Sequence, residues 1–348
     1  MNEESTGMSI ARSIVVRGMA VLAKVVLAMA VLATALPSAA QMPDKPKKIT
    51  VLTNYAFFGR HAPLFTGVDK GYFREAGFDV QILPTTGSGF VNTAIDGNKA
   101  DFALTDASVL VQSIAKGAKI QAFGVYLDIS ANGLASLQPI PSPESLLGRK
   151  IAAALTDSSR IVVPIIYNMK HLDASKLEWQ AADPGTYFSL LLSGRVDVIA
   201  AAMDADRPAL SKAAASQNKQ VHFGAFADWG YDVFGIFLVT QAARIAAHPE
   251  EVKAFAAAVV KSVKYAIANP DEAARIMAEK NSTFNPEIVA AQWKASATAM
   301  QTDYVRKHGY GIATLDRLQR TISLARTALK IETELQPDQL FAQGLIAP

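Results

Sequence analysis

Short apolar runs alternate with amphipathic stretches over the first two thirds of the chain. Residues 49–53 are apolar and β-branched, which predicts a buried strand, and residues 78–83 predict a second strand. Between them, Pro63 favours the first turn of a helix, where a missing N–H group is tolerated, and Gly77 favours the end of that helix just after Arg74. The opening therefore predicts a strand–helix–strand unit, whose first loop lies at the carboxyl end of a parallel strand.

The same alternation continues beyond the opening unit. Further apolar runs predict strands at 100–104, 119–126, 177–182, 196–202, 221–226 and 233–240, and the stretch 146–152 predicts a turn followed by a strand. From residue 249 onward the apolar spacing becomes helical and predicts helices at 249–268, 272–280, 286–300 and 314–329. Strands that alternate with helices are typical of α/β proteins with parallel sheets, and we expect the last helices to cover the back of the first sheet.

Polar and aromatic side chains concentrate where the predicted strands end. Open α/β sheets bind ligands beyond the carboxyl ends of their strands, so these positions are candidates for contact with a small molecule. The candidates are Asn54, Tyr55, Phe58, His61, Gly87, Ser88, Thr105, Tyr126, Thr156, Ser158, Tyr187, Asp204, Trp229, Tyr231 and Asp232. Tyrosine and tryptophan rings on such loops can stack on a flat ligand, which contributes on the order of 0.5–1.5 kcal/mol per pair.

Two positions near these loops allow a second interpretation. Asp106 is placed to cap the helix predicted at 107–116, so Thr105, which precedes the cap, is the better candidate for ligand contact. His61 can hydrogen-bond a ligand near neutral pH, or it can hold its own loop in place. The glycine-rich turn at 87–89 offers backbone N–H groups to an anion or to a ring acceptor.

Composition restricts the chemistry that is available. The formal net charge of +3 is spread over 348 residues without a Lys/Arg cluster, which argues against nucleic-acid binding. There is no cysteine, so the chain has no disulfide, no thiol nucleophile and no thiolate metal site. The five histidines lie far apart, and neither a phosphate loop nor a nucleophile elbow is present. The sequence therefore predicts no metal, no cofactor and no catalytic site.

The N-terminus has the features of an export signal. Three basic residues, Arg12, Arg17 and Lys24, precede an apolar run at 25–36, and small residues follow up to Ala40. This order predicts a cleavable signal peptide over 1–40, with an uncleaved anchor as the alternative. An exported chain without a cysteine to carry a lipid predicts a protein of the bacterial periplasm.

Four short motifs near the start of the chain carry a family resemblance. They are Asn54-Tyr55, His61-Ala62-Pro63, Lys70-Gly71-Tyr72-Phe73 and Gly77-Phe78-Asp79-Val80. On these motifs the chain resembles the solute-binding proteins of ABC importers, and more narrowly the NMT1/THI5-like family. The resemblance extends from residue 48 to about residue 329 and includes the stretches 191–198 and 248–252.

The resemblance implies an α/β fold of the two-lobed periplasmic binding protein type (type II), in which each lobe is a doubly wound sheet with flanking helices. Residues 48–130 plus 231–348 would form lobe one and residues 131–230 lobe two, and the lobes would close over a ligand between them. The implied partners are a small-molecule ligand and an ABC permease with its ATPase in the inner membrane. We expect a monomer, and a sensor subunit would have the same sequence features.

For the ligand, the resemblance favours a small, flat nitrogen heterocycle such as a thiamine-pyrimidine precursor. In that interpretation, Asn54 and Asp232 pair with polar atoms of the ring. Tyr55 stacks on the ring together with Trp229 or Tyr231.

The alternative ligand is a small anion, such as a sulfonate or nitrate. It would be held by the helix start at 87–89 together with Ser158 and Ser159. Only Arg60 and Arg160 are placed near these loops to balance its charge.

The same superfamily includes enzymes, the pyrimidine synthases of thiamine biosynthesis. Aligned with that class, the chain has Thr105 where the class has a reactive lysine, and Val109 where the class has a histidine. A lysine amine is needed to form a Schiff base with an aldehyde cofactor, and a threonine hydroxyl cannot replace it. These two substitutions predict a binding protein rather than an enzyme.

Overall fold

Two sheets organise the protein. The computed structural model describes residues 45–280 and 284–347, and the predicted signal peptide over 1–40 lies outside these residues. Within them, ten strands form two sheets of five strands each. In chain order the strands are β1 Lys47–Leu52, β2 Phe78–Leu83, β3 Phe102–Asp106, β4 Ile120–Leu127, β5 Asn132–Ser136, β6 Lys150–Ala153, β7 Glu178–Ala181, β8 Val198–Ala202, β9 His222–Ala225 and β10 Ile236–Gln241.

Helices flank both sheets and make up most of the chain after β10. In chain order they are α1 Ala62–Asp69, α2 Tyr72–Glu75, α3 Ser88–Asp96, α4 Ala107–Ala115, α5 Ser159–Met169, α6 Tyr187–Leu192, α7 Asp206–Ala215, α8 Ala242–Ala247, α9 Pro249–Ala268, α10 Pro270–Glu279, α11 Pro286–Ala299, α12 Asp303–His308, α13 Leu315–Leu329 and α14 Pro337–Leu340. None of the helices in residues 45–280 and 284–347 combines the length and hydrophobicity that a membrane span requires.

The two sheets share one topology. The first has the strand order β2-β1-β3-β10-β4 and the second β7-β6-β8-β5-β9. Each contains one strand that runs antiparallel to both neighbours, β10 in the first sheet and β5 in the second. Each of these two strands follows a strand of the other sheet, so the chain passes between the sheets twice. The assignment of 48–130 plus 231–348 to lobe one and 131–230 to lobe two stays a prediction.

Aromatic side chains fix the first sheet to α9. The rings of Phe102, on β3, and Phe255, on α9, stack with centroids 4.0 Å apart and planes within 4° of parallel. Phe73 and Phe78 also pack on the Phe255 ring. Because this side of the sheet is filled by the helix, the loops at the strand ends remain available to present side chains to a ligand.

The opening unit differs in one detail from the prediction. The single helix expected between Pro63 and Arg74 is divided, because α1 ends at Asp69 and α2 begins at Tyr72. Gly71 lies between them with φ of +75°, a left-handed conformation that interrupts a helix and that glycine adopts without strain.

Two elements of the second sheet region were not predicted. Strand β5 falls in a stretch for which the apolar pattern predicted no strand, and its sequence begins with Asn132-Gly133, which are poor strand formers. Helix α7 buries only Leu210 and Ala214, so its apolar periodicity is weak. In both cases the tertiary contacts, not the local sequence, determine the structure.

The last helices do more than cover the first sheet. Helix α13 packs against α4, beside the first sheet, and against α5, beside the second. Its buried residues Leu318 and Ile322 belong to one apolar cluster with Leu110 of α4 and Ile166 of α5. Helix α13 therefore contacts both halves of the protein, contrary to the expectation that it serves the first alone.

Candidate functional site

A cavity lies where loops and strand ends of the two sheets approach one another. Its empty volume, which includes the space at its open mouth, is about 380 Å³. The residues that line it are Asn54, Tyr55, Phe58, Arg60, Gly87, Ser88, Asp106, Asn132, Asp157, Ser158, Ser159, Ala200, Ala201, Ala202 and Asp206. Both sheets contribute, so the site depends on the relative position of the two halves of the chain.

Asp106 is the most heavily hydrogen-bonded carboxylate of the cavity. It accepts hydrogen bonds from Ser88 Oγ at 2.6 Å, from Asn132 Nδ2 at 2.7 Å and from Asn54 Nδ2 at 3.3 Å. Burial raises the pKa of the Asp106 carboxyl above its ordinary value, while the Ser88 hydrogen bond works in the opposite direction. Three donors therefore hold the carboxylate in a fixed orientation at the cavity wall.

The position of Asp106 reverses the order of preference that the sequence indicated. Its side chain makes no capping hydrogen bond to α4 and lines the cavity instead. Thr105 is fully buried in the first sheet and is not among the lining residues. Because side chains alternate across a strand, the residue beside Thr105 on β3 is the one that faces the cavity.

Two further carboxylates lie on the wall formed by the second sheet. Asp157 accepts hydrogen bonds from the Ser159 N–H at 2.8 Å and from the Tyr187 hydroxyl at 3.2 Å. Asp206 accepts one from the Ala202 N–H at 2.6 Å. Burial raises the pKa of Asp157 above its ordinary value and the pKa of Asp206 to about 7. The backbone thus satisfies part of each carboxylate and leaves the rest to the cavity.

The lining carboxylates lack a cationic side chain of their own. In the described part of the chain, no Lys, Arg or His nitrogen lies within 4.0 Å of the carboxylate oxygens of Asp106, Asp157 or Asp206. The lining arginine, Arg60, is paired with Asp204, and both side chains are almost completely buried. Asp204 in turn accepts a hydrogen bond from Ser296 Oγ at 2.7 Å. The cavity wall is therefore acidic.

His61 acts on the site through Asn54. Its Nδ1 accepts a hydrogen bond from the Phe58 N–H at 3.0 Å, so Nε2 carries the proton and donates to Asn54 Oδ1 at 3.2 Å. Burial, and then the charge of Arg60, lowers the pKa of His61 well below its ordinary value, which keeps the ring neutral. Of the two interpretations of His61, the structure supports the one in which it holds its loop.

Two aromatic rings cover one side of the cavity. The centroids of the Tyr55 and Phe58 rings are 5.5 Å apart, with the planes inclined by 30°. The Tyr55 hydroxyl is buried and lies near the Tyr187 hydroxyl, behind the lining. The ring faces can pack on a flat ligand, and the hydroxyl can form a hydrogen bond with it.

The sequence-predicted candidates fall into three groups. Six of them line the cavity, namely Asn54, Tyr55, Phe58, Gly87, Ser88 and Ser158. Four others lie behind the lining and form hydrogen bonds with residues that belong to it, namely His61, Tyr126, Tyr187 and Asp204. The remaining five lie outside the cavity, namely Thr105, Thr156, Trp229, Tyr231 and Asp232.

The structure corrects the stacking proposed for Trp229 and Tyr231 and the pairing proposed for Asp232. These residues lie at the second crossing, where the chain returns from the second sheet to the first. Trp229 and Tyr231 are buried in the apolar core, where the Tyr231 hydroxyl is hydrogen-bonded to Ser108. Asp232 is 60% exposed and pairs with Arg317 at 3.3 Å, away from the lining residues. Their aromatic and acidic character therefore stabilises the crossing and does not reach the cavity.

Several lining residues were not among the candidates. Asp157 belongs to the polar stretch 156–159, in which only hydroxyls were selected, those of Thr156 and Ser158 as candidates and that of Ser159 for the alternative anion site. Asp206 is the first residue of α7, two positions after Asp204 and close to the end of β8, so the strand-end rule alone would have found it. Asn132 lies on the unpredicted strand β5, so no feature of the sequence indicated that it would line a ligand site.

The family model described as NMT1/THI5 like matches residues 59–273. This chain belongs to the NMT1/THI5-like family. The match covers more than half of the 348 residues and extends from the loop after β1 into the helices that follow β10. The family membership that the opening motifs indicated is confirmed.

Solved structures similar to this member of the NMT1/THI5-like family confirm the fold. A protein from Bordetella bronchiseptica RB50 matches with a TM-score of 0.67 at 21% identity, covering 86% of this chain and 95% of that one. The alkanesulfonate-binding protein SsuA from Xanthomonas axonopodis pv. citri, bound to MOPS, matches with a TM-score of 0.64 at 11% identity and coverages of 88% and 99%. At these identities the likeness establishes the periplasmic binding protein fold alone.

Curated relatives correct the expectation that the chain is not an enzyme. A 4-amino-5-hydroxymethyl-2-methylpyrimidine phosphate synthase from Aspergillus parasiticus is 27% identical over 234 residues, covering 64% of this chain and 68% of that protein. Relatives at 23–27% identity carry the same enzyme name. The expectation depended on Thr105 and Val109. Differences at two positions do not outweigh a similarity to enzymes that extends over 234 residues.

Proposed function

We propose that this protein is a solute-binding component of an ABC importer and that its cavity captures an aminopyrimidine or a closely related flat nitrogen heterocycle. The observation that carries the proposal is the Asp106 carboxylate, fixed by three donors beside the rings of Tyr55 and Phe58. An amino group next to a ring nitrogen forms hydrogen bonds that match such a carboxylate and the Asn54 amide.

Capture follows from the position of the cavity between two halves of the chain. The Asp106 wall and the Asp157 wall come from different sheets, so neither half alone surrounds the ligand. Closure of lobe two, 131–230, onto lobe one, 48–130 plus 231–348, removes water and strengthens each polar contact. In this proposal the chain is exported to the periplasm and delivers its ligand to a membrane permease with an ATPase.

A small anion fits the cavity less well. Ser88, at the start of α3, already donates to Asp106, so an anion at this helix start would lie beside a carboxylate. Ser158 and Ser159 adjoin Asp157 in the same way, and the charge of Arg60 is compensated by Asp204. Like charges at short distance repel most strongly where water is excluded.

Titration calorimetry tests the proposal. We expect protein that begins at Gln41 to bind 4-amino-5-hydroxymethyl-2-methylpyrimidine with a Kd in the micromolar range or below, which corresponds to about 8 kcal/mol or more. An alkanesulfonate at the same concentrations serves as the comparison, and we expect no heat of binding from it. Saturable binding of the sulfonate, with none of the pyrimidine, would overturn the proposal.

Synthase activity is the second candidate function, because the curated relatives carry that name. No lysine is among the residues that line the cavity in the described part of the chain, so the site does not fit a Schiff base with an aldehyde cofactor. This activity is tested directly by mass spectrometry. The purified protein is incubated, and the mixture is then analysed for the product 4-amino-5-hydroxymethyl-2-methylpyrimidine phosphate.

Gly87 allows the two cavity walls to meet, and replacing it by alanine is expected to weaken pyrimidine binding about tenfold. Its φ is +146°, and a Cβ atom there would lie 2.3 Å from the Thr156 carbonyl oxygen across the cavity edge. The methyl group would hold the walls apart, and the change is measured as Kd by calorimetry. Gly117→Ala is the matched control, because Gly117 has a φ of +99° and a Cβ there would meet nothing within 4 Å. Equal Kd values for both variants would show that this close approach does not contribute to binding.

A further inference from the structure

Two buried carboxylates, those of Asp157 and Asp206, lie on the side of the cavity that the second sheet forms. We call these two residues the acidic wall. Their carboxylates are buried, and within the described ranges neither has a cationic side chain at pairing distance. The charges of Arg60 and Arg160 act on Asp206 and Asp157 only from beyond pairing distance. A buried carboxylate without a cation in direct contact is unfavourable, so it either binds a proton or receives a cation.

We propose that the acidic wall is a subsite for a protonated amino group of the ligand, so that the natural ligand carries a positively charged amine beside its ring. This inference rests on the proposed function, because it takes the heterocycle at Asp106 as given. The amine would approach Asp157 and Asp206 while the ring stays at Asp106, on the opposite wall.

The hydrogen bonds of the acidic wall leave acceptor capacity for such a group. A carboxylate has about four acceptor sites. Asp157 uses two of them, for the Ser159 N–H and the Tyr187 hydroxyl, and Asp206 uses one, for the Ala202 N–H. An ammonium group has three donors, which two carboxylates and the hydroxyl of Tyr55, a residue that lines the same cavity, can accept.

The walls are close enough for one small ligand to reach both. The Asn132 amide donates to Asp106 at 2.7 Å and to Ser158 Oγ at 3.2 Å, and Ser158 follows Asp157 in the chain. A single side chain therefore connects the Asp106 wall to the acidic wall.

Arg60 gives an independent indication that a ligand completes the cavity. Its side chain is 1% exposed and lines the cavity, and its Nε has no hydrogen-bond partner in residues 45–280 and 284–347. A buried N–H donor of this kind requires an acceptor, and a ring nitrogen of the ligand supplies one. In this proposal the complete ligand is therefore a hydrogen-bond acceptor toward Arg60 and a cation toward the acidic wall.

The inference is tested with two ligands that differ in one group. The 4-amino-2-methylpyrimidine ring with a 5-aminomethyl substituent is protonated at neutral pH, and the ring with a 5-hydroxymethyl substituent has the same shape without that charge. We expect the wild-type protein to bind the aminomethyl compound roughly tenfold to a hundredfold more tightly by titration calorimetry. The phosphate ester of the hydroxymethyl compound is expected not to bind.

Variants locate the effect at the acidic wall. Asp206→Asn and Asp157→Asn should each reduce the ratio of the two affinities toward one. Asp228→Asn, at an exposed position of the same half of the chain, should keep the wild-type ratio. Because each variant is compared with itself on two ligands, a partly unfolded sample lowers the stoichiometry and not the ratio.

Each alternative result has a distinct meaning. Equal wild-type affinities for the two pyrimidines, or a ratio that both acidic-wall variants preserve, would overturn the ammonium subsite and leave the proposed function in place. Binding of neither pyrimidine would overturn the proposed function, and the subsite with it.

Discussion

Replacing Asp106 by asparagine is expected to weaken pyrimidine binding about a hundredfold, which corresponds to about 3 kcal/mol. The asparagine has nearly the same shape, but it removes the negative charge that strengthens the hydrogen bonds to the ligand. Its amide also turns a donor toward Ser88 or Asn132, both of which donate to Asp106. The Kd measured by titration calorimetry reports the loss.

Asp232→Asn is the matched control for this variant. Asp232 was the sequence-predicted partner of the ring, but it is 60% exposed and pairs with Arg317 and Arg320 outside the cavity. We expect its Kd to equal that of the wild type. The reverse outcome, in which Asp232→Asn loses binding and Asp106→Asn keeps it, would contradict the placement of the site.

Stability should change little, in contrast to binding. Asp106 is a buried carboxylate without a cationic partner in the part of the chain that the structure describes, so its removal relieves a desolvation penalty. The amide donor that faces Ser88 or Asn132 opposes this gain, so the Asp106→Asn variant should melt at about the same temperature as the ligand-free wild type. Reduced binding in a protein that is no less stable separates loss of a ligand contact from loss of the fold.

The loop after β1 shows what sequence reasoning can achieve. The rule that ligands bind beyond the carboxyl ends of parallel strands selected Asn54, Tyr55 and Phe58, and all three line the cavity. The same rule selected Gly87 and Ser88. These positions could be predicted because a strand and the turn after it are local features, and the pattern of apolar and polar residues indicates both.

Asp106 shows where local reasoning fails. An aspartate directly before a helix is a common N-cap, and the local sequence contains nothing that distinguishes a cap from a ligand contact. The difference is made by Asn54 and Asn132, which lie 52 and 26 residues away in the chain and donate to the carboxylate. Contacts of this kind follow from the fold and cannot be obtained from periodicity.

The prediction that residues of the second crossing contact the ligand was wrong for a related reason. Trp229 and Tyr231 have the composition of a ligand-binding loop, yet Trp229 packs directly over Gly224 and both rings contact Phe226. Large aromatic residues contribute most when they are fully buried, so the core competes with the site for them. Sequence alone does not decide between these two locations.

Breaking the Arg60–Asp204 pair is the largest stability effect that we expect. The Arg60→Met variant should lose about 3–5 kcal/mol of the free energy of unfolding, because it leaves a buried carboxylate without its counter-charge. Both side chains are nearly inaccessible to water, at 1% and 3% exposure, so no solvent replaces the lost partner. The arginine also lies above the Phe58 ring at 5.7 Å, and methionine keeps that apolar contact. Urea-induced unfolding, followed by circular dichroism, measures the change.

A double variant distinguishes the ion pair from general disruption. In Arg60→Met with Asp204→Asn, the amide remains a hydrogen-bond acceptor for Ser296, and the buried charge is gone, so we expect at least half of the lost stability to return. Arg306→Met is the exposed control, since Arg306 pairs with Asp303 at 63% and 99% exposure and should change stability by less than about 1 kcal/mol. If the double variant were as unstable as the sum of the single variants, the two residues would not be coupled. The Arg60 loop would then be held by its packing and not by the charge pair.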